Sequence, residues 1–196
     1  MKKSTAASTL LCSALTFVPT LAHAHPGAPA HAHGFAAGLA HPLLGLDHVL
    51  AMVAVGLWAA QLGGRARWAV PAAFVGVMMA GSALGMAGLT MPMVDSAILG
   101  SVMILGLLIA MAARLPLAAS MALVGLFAAF HGLAHGAEIP ATASGMAYTG
   151  GFALATAALH GAGLALAAGL QRAAASGWVR VAGAAVAIGG AMLALS

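Results

Sequence analysis

From residue 39 almost to the C-terminus, the chain alternates between long apolar runs and short breaks of Gly, Pro, Arg or a few polar residues. The runs cover residues 39–61, 68–89, 96–113, 117–135, 148–170 and 181–195. A helix crosses the hydrocarbon core of a bilayer with about 20 apolar residues. The pattern therefore predicts six transmembrane helices, the last of them short and rich in Gly and Ala. The polar breaks are too brief to hold a separate folded unit, so the predicted fold is all-α: a bundle of about six transmembrane helices.

An earlier apolar stretch has a different character. Lys2 and Lys3 precede a run from about Leu10 to Val18, Pro19 breaks it, and Ala22-His23-Ala24 follows. A charged start, a short apolar centre and an A-x-A site make a secretory signal peptide, and the run is short for a membrane span. Cleavage after Ala24 is expected, leaving His25 as the new terminus. The expected organisation is a signal peptide at 1–24, a His-rich periplasmic segment at 25–38 and a transmembrane helical domain at 39–196.

Composition supports lipid as the main solvent. Of the 196 residues 63% are hydrophobic and 5% charged, with a mean hydropathy of +1.06. A soluble domain carries roughly 25% charged residues and could not cover its surface with so few. The net charge of +4 comes from seven scattered Lys and Arg, with no basic run, so no nucleic-acid partner is expected. Instead the cations report topology. Arg65 and Arg67 follow the first predicted span, Arg114 the third, and Arg172 and Arg180 lie between the fifth and sixth. All five fall on one side, which the positive-inside rule makes cytoplasmic. A secreted N-terminus requires the same orientation, with both ends of the mature chain periplasmic. The expected location is the bacterial inner membrane. Cys12 is the only cysteine, so disulfide, zinc-finger and thiol chemistry are not expected.

The 26 glycines include pairs four residues apart, such as Gly81 with Gly85 and Gly132 with Gly136. In lipid, small residues at that spacing let helix backbones approach closely, and packing is their expected role.

The candidate chemistry lies in the few polar residues inside the spans. An ionisable group there costs roughly 2.5 kcal/mol or more on insertion scales, so it normally has a partner or a task. The first span contains His41, Asp47 and His48. On a continuous helix, positions seven apart share a face, so His41 and His48 would line up with Met52, and Asp47 would lie beside them. A carboxylate there can hold one ring nitrogen and leave the other free for a metal. The fourth span ends with His131, His135 and Glu138, which fall on one stripe: two imidazoles and a carboxylate, a set that suits a transition metal. Both groups belong to the outer halves of their spans. His160 lies deeper, in the fifth span, where a lone histidine serves equally well as a structural hydrogen-bonding group. The mature N-terminus carries His25, His31 and His33 in a Pro- and Gly-containing stretch, as a metal-collecting arm would. Most of the 12 methionines are expected to be packing.

The segment His41-Pro42-Leu43-Leu44-Gly45-Leu46-Asp47-His48, with Met52 one turn on, and the segment from Phe130 to Glu138 both resemble the signature segments of the HupE/UreJ family. The signal peptide, length and span count are similar as well, so the resemblance covers essentially the whole mature chain. It implies a membrane permease for nickel, sometimes cobalt, supplying the maturation of hydrogenase or urease. Some related proteins are linked to copper. By the same resemblance, His41, Asp47, His48, His131, His135 and Glu138 are the implied metal-path residues, with Met52, His160, His25, His31 and His33 as further candidates. The ion is cargo, and no cofactor is expected. The implied partners are the divalent ion, the lipid bilayer and, indirectly, the hydrogenase or urease maturation machinery. A homo-oligomer is compatible with the sequence.

Other classes fit less well. There is no GxxxxGK loop, so ATP hydrolysis by this chain is not implied. An intramembrane serine protease would have to use Ser144, placed in a loop, with His160, and the GxSG motif is incomplete. A haem protein would need paired axial histidines and, without CxxCH, non-covalent attachment. No enzyme activity is expected. A metal- or haem-binding accessory protein without transport remains the alternative reading.

Overall fold

The computed structural model describes residues 34–139, 143–173, 175 and 177–196, and everything structural below concerns these. The expected signal peptide, Cys12, His25, His31 and His33 lie outside the described residues.

The described chain is helical throughout: α1 Phe35–Leu44, α2 Leu46–Leu62, α3 Ala66–Met86, α4 Val94–Ala110, α5 Leu117–Glu138, α6 Ala143–Arg172 and α7 Gly177–Ala194. Among them α3, α5, α6 and α7 are each long and apolar enough to cross a membrane. The α1–α2 pair passes the same test only as a bent unit. At 17 residues α4 is apolar but shorter than these four. The chain is a multi-pass membrane protein.

The expected continuous first span is corrected. The helix starts at Phe35 rather than Leu39, and it breaks at Gly45 into two pieces bent by 88°. Pro42 lies inside the last turn of α1, where it can donate no hydrogen bond. Gly45 then adopts an extended conformation, φ −99° and ψ 119°, ending α1 and starting α2 together.

Within the bundle, α3 packs along α5, α4 along α7, and α1 and α2 along α6. The centre is α2, which also touches α3, α4 and α7. Ten of its residues are buried, including Met52, Leu57 and Trp58, as expected for a helix apolar on all sides. Large side chains on the outer faces, such as Leu126, Leu154, Ile188 and Met192, are exposed. The α3–α5 contact uses the two predicted glycine pairs. A Cβ on Gly132 would lie 3.0 Å from the Gly81 Cα, and one on Gly85 would lie 2.7 Å from the Ala137 nitrogen. These backbones touch only because neither helix carries a side chain there.

Arg65, Arg114 and Arg172 sit at the α2–α3, α4–α5 and α6–α7 connections, with Arg67 and Arg180 in the adjoining first turns of α3 and α7. Arg65 and Arg114 line one pocket, and Arg180 Nε donates to the Ala110 carbonyl at the end of α4, so from α2 onward the helices alternate and the arginines gather at one end. The start of α2 and the end of α5, with their histidines, lie at the opposite end.

Candidate metal centre

The centre is built around the α1–α2 break. Asp47 and His48 occupy the first turn of α2, where a carboxylate favours the helix dipole. The Asp47 Oδ1 accepts two hydrogen bonds, from the His48 backbone N–H at 2.9 Å and from the His48 ring Nδ1–H at 2.8 Å. Gly45 makes this turn possible. A Cβ at that position would lie 2.7 Å from Asp47 Oδ1 and 2.9 Å from His48 Nδ1. With its Nδ1–H held by Asp47, His48 presents a Nε2 lone pair.

That lone pair meets a second imidazole. His135, on α5, places its Nε2 2.6 Å from the His48 Nε2. His41, near the end of α1, completes the group. Its ring centroid is 4.6 Å from that of His135 and 5.8 Å from that of His48. His41, His48 and His135 can each offer one ligand atom, with all three atoms within 4.8 Å of one another. His41 and His48 meet because the chain bends between them; the straight-helix alignment expected from their spacing does not exist.

His131 stands one turn further in along α5, with its ring centroid 5.5 Å from that of His48. A carbonyl oxygen only accepts, so the 2.9 Å contact between His131 Nδ1 and the Phe127 carbonyl puts the proton on Nδ1. His131 Nε2 is then a bare lone pair, buried without a hydrogen-bond partner among the described residues. His135 Nδ1 is in the same position. Each such group costs about 1–3 kcal/mol when left unmatched, so the cluster is organised for something that accepts electron pairs. His160, on α6, is 1% exposed, and neither ring nitrogen has a partner.

The structure separates the remaining candidates from this group. Glu138, at the last residue of α5, is exposed and outside the three-histidine group. Met52 is fully buried in the hydrophobic cluster. Asp47 orients a ligand and does not itself belong to the converging group.

Sequence reasoning missed the aromatic wall. Phe152 approaches His135 at 4.8 Å and His41 at 5.8 Å between centroids. Tyr148, the only tyrosine of the chain, lies 5.8 Å from His41 and stacks on Phe152. Phe74 contacts His131 at 5.5 Å. Aromatic residues make up only 5% of the chain, and that scarcity was the one available signal. Gln61 was also missed. Its Nε2 donates to the Ile109 carbonyl at 3.1 Å, while its Oε1 is buried without a partner among the described residues.

Chemically, three converging imidazoles, one of them carboxylate-held, suit a borderline divalent ion such as Ni²⁺, Co²⁺, Cu²⁺ or Zn²⁺ better than Mg²⁺ or Ca²⁺. The same geometry weakens the rival readings. A 2.6 Å separation of His48 and His135 leaves no slot for a haem plane between them. Ser144 lies in the first turn of α6 rather than in a loop, on the same helix as His160. At 1.5 Å rise per residue the two are about 24 Å apart and form no dyad.

Two comparisons with known proteins bear on this arrangement. The chain matches the family described as HupE / UreJ protein over residues 13–193. It is also similar to Protein HupE of Rhizobium leguminosarum bv. viciae, 48% identical over 193 residues, covering 98% of each chain. No solved structure matches.

Proposed function

This chain belongs to the HupE/UreJ family, and from that premise we propose that it is a permease carrying a divalent transition-metal ion, nickel first, across the bacterial inner membrane. The observation that carries the reading is the convergence of His41, His48 and His135 within 4.8 Å inside a multi-pass helical bundle. The five arginines at the opposite end are assigned to the cytoplasm by the positive-inside rule. The histidine end, with the N-terminus, then faces the periplasm.

The His-rich arm collects the ion and delivers it to the centre. There the ion replaces the hydrogen bond between His48 and His135, the His135 proton moving from Nε2 to the unpartnered Nδ1, while Asp47 keeps the His48 ring turned toward the ion. His131, with its free Nε2, receives the ion next and passes it inward toward His160. Nothing in this path requires a resident cofactor. Imidazole binds metal only when unprotonated, so acidifying the outside medium should weaken uptake rather than strengthen it.

The test is uptake of radiolabelled Ni²⁺ in cells expressing the chain or its His48→Ala variant, with Co²⁺, Cu²⁺ and Zn²⁺ as competitors. Loss of uptake in the variant at equal membrane level supports the permease, and the competitors rank the cargo. Uptake no greater than in cells lacking the protein overturns transport and leaves a metal-binding accessory role.

A further inference from the structure

The Phe74 ring lies against two buried imidazoles that have nitrogens to spare. Its centroid is 5.5 Å from that of His131 and 5.2 Å from that of His160, both edge-on, at 63° and 87°. The three rings come from three helices, α3, α5 and α6. Phe74 and His131 are 0% exposed and His160 is 1% exposed. His131 Nε2 and both nitrogens of His160 have no hydrogen-bond partner among the described residues.

The surroundings of His160 are closed. On the α2 side, Gly56 packs directly on the His160 carbonyl, and Gly163 packs on Val53 in return, so those helices leave no side passage. One turn toward the histidine end, Thr156 donates its hydroxyl to the Met78 sulfur at 3.8 Å, joining the same two helices that carry His160 and Phe74. The Phe74 ring thus contacts both an imidazole with neither nitrogen partnered and one with a free Nε2. A structural histidine would normally use at least one of its nitrogens. An imidazole using neither is matched by a ligand that arrives from outside, and a borderline divalent ion is the class that imidazole prefers.

We propose that His160 is a second metal-binding station and that the Phe74 side chain is the gate between it and the His41–His48–His135–His131 centre. The identity of the ion rests on the permease reading; the station and the gate rest on the unpartnered nitrogens and the one ring that contacts both imidazoles. Rotation of Phe74 opens the way from His131 to His160, and the face of the ring attracts the passing cation.

The experiment is Ni²⁺ binding to the full purified chain in detergent, followed by stopped-flow and by counting bound metal. The wild type should bind two ions, one in a fast and one in a slow phase. His160→Ala should lose the slow phase and one ion while keeping the fast phase, and His160→Gln, closer in volume, guards against a packing artefact. Phe74→Trp should slow the second phase about tenfold, as where a gate limits passage, and Phe74→Leu should speed it. Two ions retained in both His160 variants overturn the station. A slow phase indifferent to both Phe74 variants overturns the gate. If the wild type shows the two phases but cells take up no Ni²⁺, transport fails and the station stands. If cells take up Ni²⁺ but the pure chain binds one ion in one phase, the station fails and transport stands.

Discussion

His48 and His160 are both buried imidazoles on helices that pack together, yet His48 has a partner on each ring nitrogen and His160 has none. The difference follows from where each sits. His48 lies in the first turn of a helix, after a glycine, where a neighbouring carboxylate can fold back on it. His160 lies mid-helix, where the backbone is committed to its own hydrogen bonds, and the ring against it is that of Phe74. A ring held in one tautomer and one orientation makes a receptive site, ready before the ion arrives. A ring held by nothing binds without preorganisation and releases easily, which suits a step on the way through.

The comparison can be broken at its stronger side. Asp47→Ala would leave His48 without its orienting acceptor, closer to the condition of His160. Loss of such an outer partner typically lowers metal affinity 10–100-fold. Calorimetric titration of the purified variant with Ni²⁺ should show a drop of that order, and an unchanged affinity would mean that Asp47 does not orient the ligand. Gly45→Ala attacks the same pair indirectly, since the new Cβ would press on both Asp47 Oδ1 and His48 Nδ1. The side chains can shift by a few tenths of an ångström, so a loss of about tenfold or less is expected. Restored affinity in a double Gly45→Ala, Asp47→Ala variant, relative to the sum of the two losses, would show that both act through one contact. At the small end stands Glu138→Gln. The residue is exposed and does not belong to the converging three-histidine group. Its loss should change equilibrium affinity less than about twofold, in line with surface substitutions away from a site. A large loss of uptake at unchanged affinity would instead make Glu138 part of the entrance.

Hydropathy made most of the fold legible. The breaks between runs sit close to the observed helix ends, because every span in lipid must close its own backbone hydrogen bonds and so continues until the apolar run stops. The glycine pairs were readable for a related reason: two small residues one turn apart on each of two helices leave a flat strip, and Gly81 and Gly85 do meet Gly132 and Gly136. The bend at Gly45 was not readable. Pro42 and Gly45 both lie in a run apolar enough to cross, and hydropathy does not register a change of direction. The helical-face argument for His41 and His48 therefore depended on a straight helix that is absent, although the two rings meet by another route.

The sequence by itself determined that the chain lives in lipid, which end carries the arginines, and which few ionisable residues lie within its spans. Those properties follow from single residues and their local periodicity, and they survive whatever the helices do in three dimensions. Only the tertiary structure decided which of those residues meet. Convergence of His41, His48 and His135 depends on a backbone break and on bringing α1, α2 and α5 together, so that His41 and His135, 94 residues apart along the chain, meet. It likewise decided that Phe74 contacts both His131 and His160 and that Glu138 is not among the converging ligands. Distances between helices are set by how closely their backbones can pack, and no pattern within one helix encodes them.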